Sequence, residues 1–204
     1  MAVIQKDEFG PEYCVTVYDP SIGMEGYLVI DNTALGLGKG GIRMTSTVTL
    51  EEVFRLARTM TWKNAIAGIP FGGAKAGMKW PGGDNDLKKK YVQSFARMIA
   101  PFIPKQYIAG PDVNSGEREM QWFVEAISTW EGATGKPASY CEKTHEGERC
   151  GLPHEYGSTG YGVVRATMVA AEVLCIDITS ARIGIEGFGN VGSFAFKFLS
   201  ERGA

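Results

Sequence analysis

The last stretch of the chain, ARIGIEGFGNVGSFAFKFLSERGA, constrains the fold most tightly, because an apolar run turns through Gly187, Gly189 and Gly192 into an amphipathic segment. A GxGxxG pattern alone is weak. Between a strand and a helix, however, its glycines permit a sharp turn and close backbone approach, and the helix N-terminus offers free N–H groups to a phosphate. The spacing therefore predicts the first strand, turn and helix of a dinucleotide-binding unit rather than a merely tight βα turn.

Upstream, helix and strand alternate. EYCVTVYD (12–19) and GYLVIDN (26–32) are β-rich runs joined by the turn-like PSIGME, which predicts an antiparallel pair, and the Gly-rich LGLGKGGIR after them reads as a loop. Thr49 with Glu52 makes a capping box that opens a helix over 49–66, with Val53, Leu56, Ala57, Met60 and Asn64 on one side. Pro70 ends that helix ahead of PFGGAKAG. Further helices are expected near 86–100, carrying Tyr91, Phe95, Met98 and Ile99, and over 116–129, carrying Met120, Phe123, Val124 and Ile127. Between them YIAGPDVNSGE reads as a short strand running into a turn. From Gly132 to Gly157 the chain is polar and rich in Gly and Pro, the composition of a connection between domains, and an apolar helix follows over 159–174. The expected architecture is α/β: a mixed α/β domain over 1–155, then the first βα unit of a Rossmann-type domain over 156–204.

Twenty-one Lys and Arg against twenty-three Asp and Glu leave a formal charge of -2, so no excess of either sign draws the chain to nucleic acid or an anionic membrane. The N-terminus MAVIQKDEFG is acidic where a signal peptide is apolar, and no apolar run reaches the roughly 18 residues that a membrane helix needs. Cys14, Cys141, Cys150 and Cys175 form no CxxC pair and no regular framework, which suits a reducing compartment. These features together predict a cytoplasmic protein.

The chemistry is expected at lysines. Lys63 follows Met60 by three and Leu56 by seven, which puts a cation on the apolar side of its helix, where it calls for an anionic partner; the plainer reading is a side chain that snorkels to solvent at the helix end. Lys39 in GKGG and Lys75 in GGAKAG lie among glycines, where a small ligand can reach both amine and backbone N–H groups. Three converging lysines fit a carboxylate substrate, and crowded ammonium groups lower one another's pKa, as a lysine base requires. Asp112 in GPDVNSG would balance that charge and offer a second proton-transfer group, although an Asp in such a turn commonly just bonds its own backbone.

LGKGGIRM, MTWKNAIAGIPFGGAKAG, PDVNSGERE, TGKP, STGYGV and GFGNVG, in this order and spacing, resemble the glutamate, leucine, phenylalanine and valine dehydrogenase family over most of the chain. The resemblance implies a substrate-binding and oligomerisation domain ahead of the dinucleotide-binding one, NAD or NADP as cofactor, and an amino acid and its 2-oxo acid as substrates. It implies further that Lys63 holds the substrate α-carboxylate, Lys75 is the catalytic lysine and Asp112 moves protons at the amino nitrogen. Lys39 stands where glutamate-type members face the side-chain carboxylate and leucine-type members carry an apolar residue, which favours glutamate. Met60 and Pro111 fall at substrate-side positions where the sequence departs from the usual residues. Thr159, Asn190 and Val191 match positions near the cofactor, whose pyrophosphate Gly187, Gly189 and Gly192 would admit. The acidic residue that reads the ribose is expected about 20 residues past the glycine loop. Since that lies beyond Ala204, the chain reads as cut within this domain, and a non-catalytic assembly module or a leucine- or valine-type enzyme stand as alternatives. A homo-oligomer, a hexamer by the resemblance, is expected.

Cys141, His145, Cys150 and His154 gather within fourteen residues. They could close a structural tetrahedral zinc site, or else belong to an exposed loop whose thiols are free or joined. The sequence alone assigns no metal.

Overall fold

Successive side chains of a strand point to opposite faces, and that period of two builds a sheet with two different faces. In the computed structural model, which describes residues 4–204 with the side chain of His154 left aside, β1 (Tyr13–Asp19) and β2 (Met24–Asn32) pair antiparallel from Tyr13 opposite Ile30 to Asp19 opposite Met24. They join β3 (Gly38–Thr45), β4 (Gly72–Lys79) and β5 (Tyr107–Gly110) in a mixed five-stranded sheet of order β1-β2-β4-β3-β5. β2 meets β4 antiparallel, whereas β4, β3 and β5 run parallel. The stretch expected as a loop, LGLGKGGIR, is thus largely a central strand. Its glycines lower strand propensity, but neighbours on both sides supply the hydrogen bonds that outweigh it.

One face carries Leu28, Ile30, Ile42, Met44, Ala74, Ala76 and Met78, all fully buried beneath α2 (Asn85–Ile99) and α3 (Glu117–Ile127). These helices contribute Tyr91, Phe95, Ile99, Met120 and Phe123, whereas Met98 is 38% exposed, off the buried stripe expected for it. The other face is covered by α1 (Leu50–Ile66), which packs Val53 and Ala57 on Tyr27 and Val29. Thr49 caps α1, its Oγ1 accepting from the Glu52 N–H at 3.2 Å. The buried stripe of α1 is Val53, Ala57, Thr61 and Asn64, with Leu56 and Met60 only half-buried. Polar residues hold it down. Thr61 donates to the fully buried Asp31 at 2.6 Å, Arg58 reaches the same carboxylate at 2.7 Å, and the Asn64 amide donates to the Gly72 carbonyl at 2.7 Å.

A Cβ on Gly73 would lie on the backbone nitrogen of Thr61, so α1 can lie this close only on glycine. Gly73 and Gly77, on either side of Lys75, thus serve the contact of α1 with the sheet.

The polar segment expected as an open connection is ordered for much of its length. β6 (Cys141–Thr144) and β7 (Gly147–Cys150) form an antiparallel hairpin closed by a Cys141–Cys150 disulfide. Two of the four cysteines are therefore joined, the second of the alternatives left open for the thiols of this segment. The zinc alternative fails for the same reason, because both sulfurs that would ligate are bonded to each other. His145 is exposed at the hairpin turn, and the side chain of His154 lies outside the described residues.

The chain divides into two compact units, one ending at Pro153 and the other running from His154 to Ala204. In the second, α4 (Ser158–Val173) packs on α5 (Asn190–Ser200) through Val164, Ala195 and Leu199, with Ile185 against them. ARIGIEG, expected as a strand, forms no ladder: among the described residues of this unit there is no strand beside it, and a strand exists only through its neighbour's hydrogen bonds. No helix among the described residues is long and apolar enough to cross a membrane.

Candidate active site

The alternation that points Ile42 and Met44 into the core sends Lys39, Gly41 and Arg43 to the opposite face, the one α1 partly covers. On the neighbouring β4 the same rule pairs Lys39 with Gly73 and Arg43 with Gly77, and places Lys75 between them. Three cations thus share one face of two adjacent parallel strands. Asp112 joins them from the turn after β5. Its carboxylate is divided, Oδ1 lying 3.2 Å from Lys75 Nζ and Oδ2 accepting from Arg43 Nε at 2.9 Å. Gly41 makes this approach possible, since a Cβ there would come within 2.8 Å of the Asp112 Cβ.

The turn that carries Asp112 is fastened to β3. Met44 N donates to the Val113 carbonyl at 3.0 Å, the Asn114 amide donates to the Met44 carbonyl at 3.2 Å, and Ser115 Oγ donates to the Ile42 carbonyl. Asp112 N–H donates to Ser115 Oγ at 3.0 Å and helps close the turn, while the carboxylate points to the cations. The carboxylate thus turns to the cations and not to its own backbone, against the plainer reading of an Asp in such a turn.

Lys75 is only 6% exposed. Burial lowers its pKa from the ordinary lysine range; Asp112 opposes that, and the nearby charges of Arg43 and Lys63 add to the lowering. For Asp112 burial acts upward, but Lys75 and Arg43 outweigh it and hold the carboxyl below the usual range. Lys39 is the most perturbed of the set. Burial first, then the like charges of Lys136 and Lys75, push its amine down to about 7. Its Nζ donates to the Ala109 carbonyl at 2.7 Å, and none of its ion pairs appears among those of the described residues.

Lys63 departs from its expected place. It is exposed at the last turn of α1, because the buried stripe passes through Thr61 and Asn64 on either side of it. The plainer reading of its position, a side chain reaching solvent, is the correct one. Its charge still acts on Lys75, so its amine borders the same face. Met60 is half-buried on α1, and Pro111 packs its ring against Gly135.

Two basic residues escaped sequence reasoning. Arg43 was hidden by reading its segment as a loop; a strand reading places it two steps of alternation from Lys39. Lys136 of TGKP is 5% exposed, lies over the Trp130 ring at 4.2 Å, and donates to the carbonyls of Trp130 and Ala133.

In the second unit, α5 begins at Asn190 with Gly189 as an N-cap that has no side-chain bond, leaving its first N–H groups open. Gly187 takes φ +84°, open only to glycine at low cost, and both Gly187 and Gly189 face open space where a Cβ would stand. Gly192 abuts the Gly187 carbonyl, which closes the turn, and Asn190 Oδ1 is buried without a hydrogen-bond partner. This cradle suits a phosphate-bearing ligand. Thr159 is exposed in the first turn of α4, and Val191 is exposed in that of α5.

Two family models match the chain: Glu/Leu/Phe/Val dehydrogenase, dimerisation domain, over residues 11–129, and Glutamate/Leucine/Phenylalanine/Valine dehydrogenase over 150–204. The chain belongs to this family. It is 37% identical over 185 residues to a glutamate dehydrogenase of Aeropyrum pernix, covering 85% of this chain and 41% of that protein. It is 36% identical over 185 residues to an NADP-specific glutamate dehydrogenase of Saccharolobus shibatae, again covering 85% of this chain and 41% of that protein. The crystal structure of the hetero-hexameric glutamate dehydrogenase from Thermus thermophilus superposes with a TM-score of 0.83 at 28% identity, over 95% of this chain and 48% of that one. The chain thus spans about two-fifths of the length of these curated relatives.

Proposed function

We propose that this chain carries the substrate side and the opening of the cofactor side of an NAD- or NADP-dependent dehydrogenase that oxidatively deaminates glutamate to 2-oxoglutarate and ammonia. The observation that carries this reading is the Lys39 amine, half-buried and bonded among the described residues to the Ala109 carbonyl without a carboxylate, on the sheet face that also holds the Lys75–Asp112 pair. A substrate side-chain carboxylate would give it the counter-charge it lacks, whereas a leucine or valine side chain would leave that cation against hydrocarbon.

In this reading Lys63, at the rim, receives the α-carboxylate. Lys75, whose pKa is already lowered, takes a proton from the water that adds to the imino carbon, and Asp112, ionised at rest and 3.2 Å from the Lys75 amine, passes that proton on to the departing nitrogen. Met60 and Pro111 bound the substrate pocket. Residues 1–155 act as the substrate-binding and oligomerisation domain, and 156–204 begin the dinucleotide-binding domain. Gly187, Gly189, Asn190, Val191 and Gly192, with Thr159, would hold the cofactor, and the open cradle and orphaned Asn190 oxygen support that fit. When bound, NAD or NADP supplies the acceptor for the Cα hydride.

The expected outcome for Lys75→Ala is loss of glutamate-dependent nicotinamide reduction with cofactor binding retained. Turnover surviving in that variant would refute the role given to Lys75.

A further inference from the structure

Arg43 stands between two carboxylates. Its Nη1 lies 2.7 Å from Glu52 Oε1 in the first turn of α1, and its Nε lies 2.9 Å from Asp112 Oδ2. The second oxygen of Asp112 is the one that meets Lys75, at 3.2 Å. Charges therefore alternate along a single line, Glu52, Arg43, Asp112, Lys75, across β3 and β4. Arg43 ties the first turn of α1, through Glu52, to the turn after β5, through Asp112.

We propose that Arg43 is a positioning residue for the reaction: bridging Glu52 and Asp112, it keeps the Asp112 carboxylate shared, holding one oxygen itself and leaving only the other to Lys75. A guanidinium suits this, because its planar fork presents two separate nitrogens in fixed directions to the two carboxylates, whereas the donors of a lysine amine share one nitrogen. The consequence falls on Lys75 through two routes of the same sign. Arg43 repels a proton on Lys75 directly, and it draws off part of the Asp112 charge that would otherwise favour that proton. The other charged groups facing Lys75 are Lys63 from α1 and, along β3, Lys39; both are cations and neither competes for Asp112 in the structure. The inference deepens the function proposed above and rests on Lys75 acting there as the base.

The test uses this chain labelled with carbon-13 at lysine Cε, following each amine by NMR from neutral to alkaline pH. The Lys75 signal is identified by its loss in Lys75→Arg. In Arg43→Gln the Lys75 midpoint is expected to move upward, with a several-fold fall in the neutral-amine fraction at a fixed pH below it. In Arg43→Lys, which keeps the charge but loses the fork, the midpoint should also rise, by less. A Lys75 midpoint unchanged or lower in the variants overturns the proposal. If Arg43→Gln gives no folded spectrum, Arg43→Lys decides alone, by the same criterion. A purely structural role would lower the melting temperature without moving this one lysine. Because the readout is a titration and not turnover, failure of the Lys75→Ala experiment would remove the catalytic role while leaving the Arg43 result separately readable.

Discussion

Lys39 shows how a single side chain can be both a defect in the fold and an asset to a site. It is half-buried near Lys136 and Lys75, and its pKa is pushed down to about 7. Below that pH the folded and unfolded chains both carry the charge, and the cost of burying it is felt in full. As pH rises from about 7 toward the ordinary value of 10.5, the folded chain binds fewer protons than the unfolded one, so stability contributed at this position increases. Lys39→Met should therefore stabilise the chain by roughly 1–3 kcal/mol at pH 6.5, a gain that shrinks by about pH 9.5, as urea unfolding at the two pH values would measure. In the active enzyme the same variant should lose its preference for glutamate over leucine, read as the ratio of kcat/KM values. A variant neither stabilised nor altered in preference would mean that Lys39 is not the unpaired cation described here.

At the scale of elements, contact between α1 and β4 is set by what the strand lacks. Gly73 lies under the Thr61 backbone, and the Asn64 amide ties the end of α1 to the Gly72 carbonyl. A methyl group at Gly73 has to displace either the helix or the strand. Gly73→Ala is accordingly expected to destabilise by about 1–3 kcal/mol in a denaturant titration. It should also disturb the Lys75 environment, since Lys75 lies two residues along the same face. Gly23, where a Cβ would meet nothing within 4 Å, is a poor comparison because its φ of +67° adds backbone strain; Gly162, open and without that strain, is the suitable control. No loss in Gly73→Ala beyond that in Gly162→Ala would show that α1 tolerates being lifted.

For the whole molecule, the sheet order leaves β1 as an outer strand, with Tyr13, Cys14 and Tyr18 exposed along it. An outer strand presents unpaired backbone groups and can be extended by a second copy. The match to a dimerisation domain over residues 11–129 supports the same expectation. Light scattering at micromolar concentration should give an oligomer, and Val15→Pro, which removes a donor within β1, should weaken it; a monomer for the unaltered chain would count against assembly through this unit.

The elements whose identity rests on local pattern were legible in the residues themselves: the β1–β2 pair, the capped helix α1 and the helices α2 and α3. So were Lys39, Lys75 and Asp112, because lysines among glycines and an acid in a turn stand out along the chain. The glycine-rich segment over 38–45 was not, since local propensity reads it as a loop and only two flanking strands make it a strand. That error concealed Arg43. ARIGIEG is the reverse case, a segment of strong β pattern that forms no ladder where no partner lies beside it. The buried side of α1 turned from Leu56, Met60 and Lys63 toward Thr61, with Asn64 kept as expected, because a buried carboxylate, Asp31, and a backbone carbonyl, that of Gly72, were waiting on the sheet. Sequence thus determined the periodicities and the reactive residue types. Tertiary structure decided which groups became neighbours, because pairing of strands and neutralisation of buried charge depend on residues far away in the chain.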